Sequence, residues 1–236
     1  MKTDDFNVYK ARYRSAIRRV LSESAKGRLD EAAFPAYSHR NPIINWLFWQ
    51  RLRKVMEHIQ RPTPYGHVLD FGCGSGVMLP HLSQISSKVT AMDVDLLPLE
   101  RVQAYIPLAS NVEVKDASKT GIADLPANSF DLIIALDVLE HVKDLPRTLN
   151  ELLSLLKHGG QLIVSGPTEN ILYQIGRKIA GPEYSGTYHE RGIAEIKNEL
   201  IKKTSIQHIA MLYWPVPLFE IFSAKKSEHG LVQNPL

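Results

Sequence analysis

Three glycines at alternate positions mark the part of the sequence best suited to chemistry. Gly72, Gly74 and Gly76 follow a short apolar run that ends in Asp70 and Phe71. Glycine lets the backbone turn sharply and approach a ligand closely, and in open parallel sheets ligands bind beyond the carboxyl ends of the strands. The spacing is not G-x-G-x-x-G, and no Gly-Lys-Ser/Thr follows as in a P-loop. The segment therefore predicts a ligand-binding loop that does not cradle phosphate.

Acidic residues recur near the ends of the next predicted strands. Asp93 ends one strand at a distance from the glycine loop that suits a ribose contact, whereas Asp95 lies past the strand end. Asp116 follows the next strand. Each carboxylate also has a structural interpretation: Asp70 as a loop cap, Asp93 as a solvated strand end and Asp116 as the cap of its own turn.

Short apolar strands alternate with amphipathic helices around these residues. The strands are expected at 67–70, 88–93, 111–115, 130–136, 161–165, 205–213 and 217–224. The helices are expected at 75–85, 96–106, 145–157, 169–180 and 190–203, with Gly159-Gly160 ending the third. This alternation predicts an α/β fold with a mostly parallel seven-stranded sheet and helices on both faces. The short link between the last two strands predicts a hairpin, so the last strand is expected to be antiparallel.

The N-terminal part is predicted to be a helical extension, residues 1–62, with helices at 5–22 and 41–60. Residues 63–236 form the predicted main domain, with a helical insertion at about 168–204. The first 28 residues hold eight basic and three acidic residues, although the whole chain carries only +3. A basic amphipathic helix of this kind, together with the aromatic segment 46–49, favours peripheral contact with an anionic membrane. Packing against the domain edge is the alternative for 46–49.

The glycine loop, the acidic residues and the end of the fourth strand together resemble the class I S-adenosylmethionine (SAM)-dependent methyltransferases. Five motifs occur in the family's order between about residues 66 and 166, including D70-F-G-C-G-S-G76 and A135-L-D-V-L-E-H-V142. The resemblance implies a Rossmann-like fold and SAM as cofactor. It also implies a set of cofactor contacts. These are Asp70, Phe71, Gly72, Cys73, Gly74, Gly76, Asp93, Val94, Asp116, Ala117, Leu136 and Asp137.

The segments S38-H-R-N-P42 and L136-D-V-L-E-H-V142 resemble the branch that includes the ubiquinone-biosynthesis O-methyltransferases. That branch has a basic residue shortly after Asn-Pro, where this chain has Ile44. The resemblance implies methyl transfer to O or N of a small-molecule or lipid-like metabolite. Positioning supplies much of the acceleration in such a reaction, and a base is needed only if the acceptor must lose a proton early. His141 and His189 are the candidate bases, each with a local structural role as the alternative.

Composition limits the remaining possibilities. One cysteine, Cys73, excludes an internal disulfide and a cysteine-based zinc site, and it suits a reducing cytoplasm. The histidines lack a metal-ligand pattern, so no metal is expected. No transmembrane helix is expected, and the slightly acidic body argues against nucleic acid. A catalytically silent SAM-binding regulatory or assembly protein is the alternative function. The oligomeric state is not predicted.

Overall fold

The computed structural model describes residues 3–23, 37, 42–60, 64–168, 192–213 and 216–226. Seven strands form its sheet. They are β1 (Tyr65–Phe71), β2 (Ser86–Asp93), β3 (Val112–Asp116), β4 (Phe130–Leu136), β5 (Leu156–Pro167), β6 (Thr204–Tyr213) and β7 (Pro217–Lys226). Six α-helices are described. They are α1 (Thr3–Glu23), α2 (Pro42–Ile59), α3 (Leu79–Ile85), α4 (Leu97–Gln103), α5 (Leu145–Leu155) and α6 (Ile193–Ile201).

The strand order in the sheet is β3-β2-β1-β4-β5-β7-β6. The first five strands are parallel, and β7 is antiparallel to both of its neighbours. This order and these directions confirm the predicted fold class. The register aligns Asp93 with Asp116, and Leu136 with Ser165. The carboxyl ends of β1 to β5 therefore meet at one edge, where the predicted ligand loop lies.

Each face of the sheet buries its own apolar cluster, which explains the unbroken apolar runs of the central strands. In β1, Val68 packs into the cluster that includes α1 to α4, while Leu69 packs into the cluster that includes α5 and α6. In β4, Leu132 packs into the first of these clusters and Ile133 into the second. The N-terminal helices thus share a core with the sheet. Their predicted separation as an extension at residue 62 stays a prediction.

Several helix boundaries differ from the sequence prediction, and two of these differences have a clear physical reason. The helix expected at 75–85 begins only at Leu79, because Gly76 has φ +78° and a left-handed residue cannot continue an α-helix. The helix expected to end at 157 ends at Leu155, because Leu156 pairs with Phe130 as the first residue of β5. Gly159 and Gly160 therefore lie inside β5. The helix expected at 169–180 lies outside the described residues.

Within the described ranges, none of the helices is both long enough and apolar enough to span a bilayer.

Candidate functional site

The glycine loop leaves β1 at the carboxyl edge of the sheet and is fastened there by β2. The backbone N–H groups of Gly72 and Cys73 both donate to the carbonyl of Met92, at 2.8 and 3.2 Å. All three glycines adopt left-handed conformations, with φ of +75° at Gly72, +51° at Gly74 and +78° at Gly76. The alternate spacing thus corresponds to three successive backbone turns that favour glycine.

Gly74 differs from its neighbours in facing open space. A Cβ on Gly72 would collide with Val138, and a Cβ on Gly76 would meet Leu99 at 2.5 Å. No atom lies within 4 Å of the position that a Cβ on Gly74 would take. The backbone at Gly74 is therefore accessible to a ligand, whereas Gly72 and Gly76 allow close packing inside the protein.

Asp93 connects the end of β2 to this open loop. Its Oδ2 accepts a hydrogen bond from the Gly74 N–H at 2.7 Å, and its Oδ1 accepts one from the Asp95 N–H at 3.1 Å. A carboxylate has about four acceptor positions, so both oxygens retain capacity for ligand hydroxyls. Val94, the next residue, is 74% exposed. A side chain of this kind presents an apolar surface beside the carboxylate.

Asp70 lies below the loop with only 4% of its surface exposed. Burial, and then the nearby charge of Asp93, raise the pKa of the Asp70 carboxyl to about 8. Burial raises the pKa of two phenols from the N-terminal part, Tyr9 and Tyr37, and the proximity of the Asp70 carboxyl adds to this rise. The site therefore contains a buried carboxyl group that is protonated at neutral pH without ligand.

Asp116 caps the turn that follows it, which is the structural role given above as the alternative to a cofactor contact. Its Oδ1 accepts from the Ser118 N–H at 2.9 Å and from the Ser118 hydroxyl at 2.5 Å. Lys119 lies 2.8 Å from Oδ2, and these contacts lower the pKa of the Asp116 carboxyl to about 2. The Ala117 N–H donates to the Asp93 carbonyl at 2.8 Å. This bond places Asp116 and Ala117 beside Asp93 at the sheet edge.

The end of β4 completes the edge. Leu136 is half-buried, and Asp137 adopts φ +54°. The Asp137 N–H donates to the Ser165 carbonyl at 3.0 Å, and the carboxylate forms an ion pair with Arg51 of α2. A short 3₁₀ helix, Leu139–His141, follows directly.

Of the two candidate bases, His141 and His189, only His141 lies among the described residues. His141 ends the 3₁₀ helix with an exposed side chain, so it remains accessible from the sheet edge. The neighbouring Glu140 is 1% exposed. His189 lies outside the described residues. Cys73 is buried at 5% exposure and burial raises the pKa of its thiol, which suits a packing role.

The structure adds residues that the sequence did not point to. Tyr13 of α1 donates to the Ser75 carbonyl at 2.6 Å, and Tyr9 donates to the Val77 carbonyl. Arg51 reaches the end of β4 from α2. The tyrosines lie four residues apart and therefore on one face of α1, but such spacing does not indicate which partner that face contacts. In the part of the chain that the structure describes, no group of three or more His, Cys, Asp or Glu could hold a metal.

A cavity of about 470 Å³ lies at the opposite edge of the sheet. Its lining includes Tyr65, Asp131 and Gly160, which are near the starts of β1, β4 and β5. Strands rise about 3.3 Å per residue, so this cavity is roughly 20 Å from the glycine loop. It is separate from the candidate site.

The sequence of this chain is similar to those of several known proteins. Residues 46–220 match a family described as a methyltransferase domain. Ubiquinone biosynthesis O-methyltransferase of Pseudomonas fluorescens is 30% identical over 131 residues, which is 55% of this chain and 56% of that protein. The protein of the same name from Xanthomonas axonopodis pv. citri is 38% identical over 110 residues, 44% of this chain and 45% of that protein. The chain thus spans about half the length of these curated relatives.

The fold also resembles a solved structure. The N-methyltransferase NodS from Bradyrhizobium japonicum, in complex with S-adenosyl-L-homocysteine, aligns with a TM-score of 0.60. The alignment covers 92% of this chain and 99% of that chain at 17% identity. At this identity the likeness concerns the fold alone.

Proposed function

Because the chain belongs to the methyltransferase domain family that it matches over residues 46–220, we propose that it transfers a methyl group from SAM to an oxygen or nitrogen atom of a small-molecule or lipid-like metabolite. The geometry at Gly74 carries this proposal. An open left-handed glycine there donates its N–H to the carboxylate that ends β2. A loop and a carboxylate joined in this way form a binding edge for a nucleoside.

SAM is the cofactor of this family, and the residues at the sheet edge fit it. When bound, SAM supplies an electrophilic methyl group on a positively charged sulfur. We assign the ribose contact to Asp93, the adenine surface to Val94, Asp116 and Ala117, and the methionine end to Leu136 and Asp137. Phe71, Gly72, Cys73, Gly74 and Gly76 form the loop beside it, with Asp70 below.

Asp70 is the residue whose charge state we expect to depend on the cofactor. Without a ligand, the pKa of its carboxyl is about 8, so the group is largely neutral at pH 7. A cationic ligand nearby favours the ionised form of a carboxyl. Asp70 therefore contributes electrostatic attraction for SAM in its ionised form.

We place the acceptor beside a small apolar cluster, which supports a lipid-like or aromatic acceptor. Leu47, Leu212 and Phe219 form a small buried cluster where α2 meets the β6–β7 hairpin. Phe48 and Phe219 both lie against the guanidinium of Arg51, which joins this cluster to the end of β4. An acceptor bound beside the cluster would therefore lie next to the methionine end of the cofactor. For a hydroxyl acceptor we propose His141 or His189 as the base.

We also propose peripheral contact with anionic membranes, through charge only. Helix α1 buries its apolar stripe, including Tyr13, Ile17 and Val20, so that stripe cannot enter a bilayer. Arg12, Arg18 and Arg19 are exposed. Sedimentation with anionic vesicles at low salt, lost at high salt and absent with neutral vesicles, would support this contact. If equal amounts of the protein stay in the supernatant with anionic vesicles at low salt, with anionic vesicles at high salt and with neutral vesicles, the proposed membrane contact is wrong.

Calorimetric titration with SAM, S-adenosylhomocysteine and NAD tests the proposed function. We expect saturable binding of both adenosyl ligands and none of NAD. Incubation with SAM labelled at the methyl group, together with phenols and lipid-like amines, would then identify the acceptor class. Binding without transfer to any acceptor would favour the silent SAM-binding protein. Absence of adenosyl binding would contradict the cofactor site.

A further inference from the structure

Arg51 and Asp137 form a buried ion pair that joins helix α2 to the residue after β4. The Arg51 side chain is 2% exposed and that of Asp137 is 22% exposed. A lone charge at this depth would be costly, so each residue depends on the other as its counterion. The pair therefore fixes the position of α2 relative to the carboxyl edge of the sheet.

Asp137 also needs support for its backbone. Among the described residues, only Asp137 and Asn128 are non-glycine residues with positive φ, at +54° and +49°. This conformation is unfavourable for residues with a Cβ and persists where surrounding contacts enforce it. At Asp137 those contacts are the Arg51 guanidinium and Ser165, whose hydroxyl donates to the carboxylate at 3.2 Å.

The conformation of Asp137 determines where the next side chain lies. Val138 fills the space beside Gly72 so closely that a Cβ on Gly72 would collide with its methyl groups. Gly72 in turn is held by Met92 at the start of the cofactor loop. A change in the backbone at Asp137 would therefore shift the contact that supports the glycine loop.

Arg51 is itself immobilised by residues from several elements. Its Nη2 donates to the Tyr37 hydroxyl at 3.1 Å, and its guanidinium lies 5.0 Å from the Phe48 ring and 5.5 Å from the Phe219 ring. Cation–π contacts of this kind favour a planar guanidinium over an ammonium group. The arginine thus connects Tyr37, α2 and β7 to a single carboxylate.

We propose that Arg51 is a positioning residue for the cofactor site. Through Asp137 it holds the loop after β4 in the left-handed conformation that places Val138 on Gly72. This role rests on the proposed SAM site. It assigns to helix α2 a part in cofactor binding that does not require Arg51 to touch the cofactor.

Four variants test this role by titration with S-adenosylhomocysteine. Arg51→Met removes the charge and should weaken binding about tenfold or more, equivalent to about 1.4 kcal/mol. Arg53→Met is the matched control on the same helix, where Arg53 forms a half-exposed pair with Glu57, and should leave affinity unchanged. Asp137→Gly provides a second background, because glycine adopts positive φ without support from Arg51. In that background Arg51→Met should cause no further loss of affinity, because the carboxylate that Arg51 holds is absent.

The comparison between the two backgrounds is decisive, because a purely structural role of Arg51 in packing α2 would make Arg51→Met weaken binding equally in the wild type and in Asp137→Gly. Equal loss in both backgrounds would overturn the inference. Arg51→Lys serves as a second variant if Arg51→Met fails to fold, and should bind with intermediate affinity.

Hydrogen exchange separates this inference from the proposed function. Without ligand, the amides of residues 137–142 should exchange faster in Arg51→Met than in the wild type, and the double variant should restore slow exchange. Unchanged exchange in Arg51→Met would refute the positioning role even if the wild type binds the ligand. Failure of the wild type to bind S-adenosylhomocysteine, with the expected exchange pattern, would refute the cofactor assignment and leave the loop-positioning role supported.

Discussion

Replacing Asp70 by asparagine should make the ligand-free protein more stable, and increasingly so as the pH rises. Asparagine keeps the size of the side chain and removes its titration. In the folded wild type the pKa of Asp70 is raised from 3.8 to about 8, chiefly by burial. Between these values the unfolded chain carries an ionised Asp70 while the folded protein retains the proton.

The sign of the effect follows from proton linkage. The folded state binds more protons than the unfolded state in this window, so stability falls as the pH rises and levels off above about 8. Each pH unit lowers the wild-type free energy of unfolding by up to about 1.4 kcal/mol through this group. From pH 5 to pH 8 the difference between Asp70→Asn and wild type should therefore grow by up to about 4 kcal/mol.

Urea unfolding of both proteins at pH 5, 6.5 and 8 measures this difference. Other titrating groups, such as His81, whose pKa is lowered to about 4 by burial, are shared by both proteins and cancel in the comparison. Asp93→Asn is a useful third protein, because removing the nearby charge should reduce the pH dependence in part. A difference between Asp70→Asn and wild type that stays constant from pH 5 to pH 8 would refute the reasoning.

Three further substitutions test the site. Gly74→Asp should weaken S-adenosylhomocysteine binding at least about 100-fold, because the new side chain blocks the open side of the loop. Gly159→Asp is the control. Gly159 is also left-handed and faces open space, but it lies at the opposite edge of the sheet, so this variant should bind the ligand normally in the same titration. Asp93→Ala should weaken binding by about 1–3 kcal/mol through loss of its hydrogen bonds, and full affinity would contradict the ribose assignment. Tyr13→Phe should lower the free energy of unfolding by about 1 kcal/mol, because the Ser75 carbonyl loses its buried donor, and an unchanged urea midpoint would contradict this bond's contribution.

The sequence predicted the sheet and the glycine loop well because both depend on local signals. β4 was predicted at residues 130–136, as observed, since a continuous apolar run bounded by polar residues is typical of a central parallel strand. The resemblance to methyltransferases was confirmed by the family match. The start of α3 was wrong because the spacing of apolar residues cannot show that Gly76 is left-handed.

The contribution of the N-terminal helices could not be predicted in the same way. Arg51 lies three residues after Phe48 on the apolar side of α2, but a charged residue in an amphipathic helix usually indicates the solvent-exposed face. Its partner is 86 positions away in the chain, and nothing local points to it. Asp137 was predicted as a cofactor contact, while the ion pair that holds it depends on tertiary packing alone.

The position of β7 has a consequence for biosynthesis. The last of the described strands, β7, lies between β5 and β6, so β6 leaves the ribosome before the strand with which it pairs exists. Until residues 217–226 emerge, β5 presents an open edge from Gln161 to Pro167. Exposed edges of this kind favour pairing with other chains. A premature stop before β7 should therefore yield chains that aggregate, because β5 would keep its open edge.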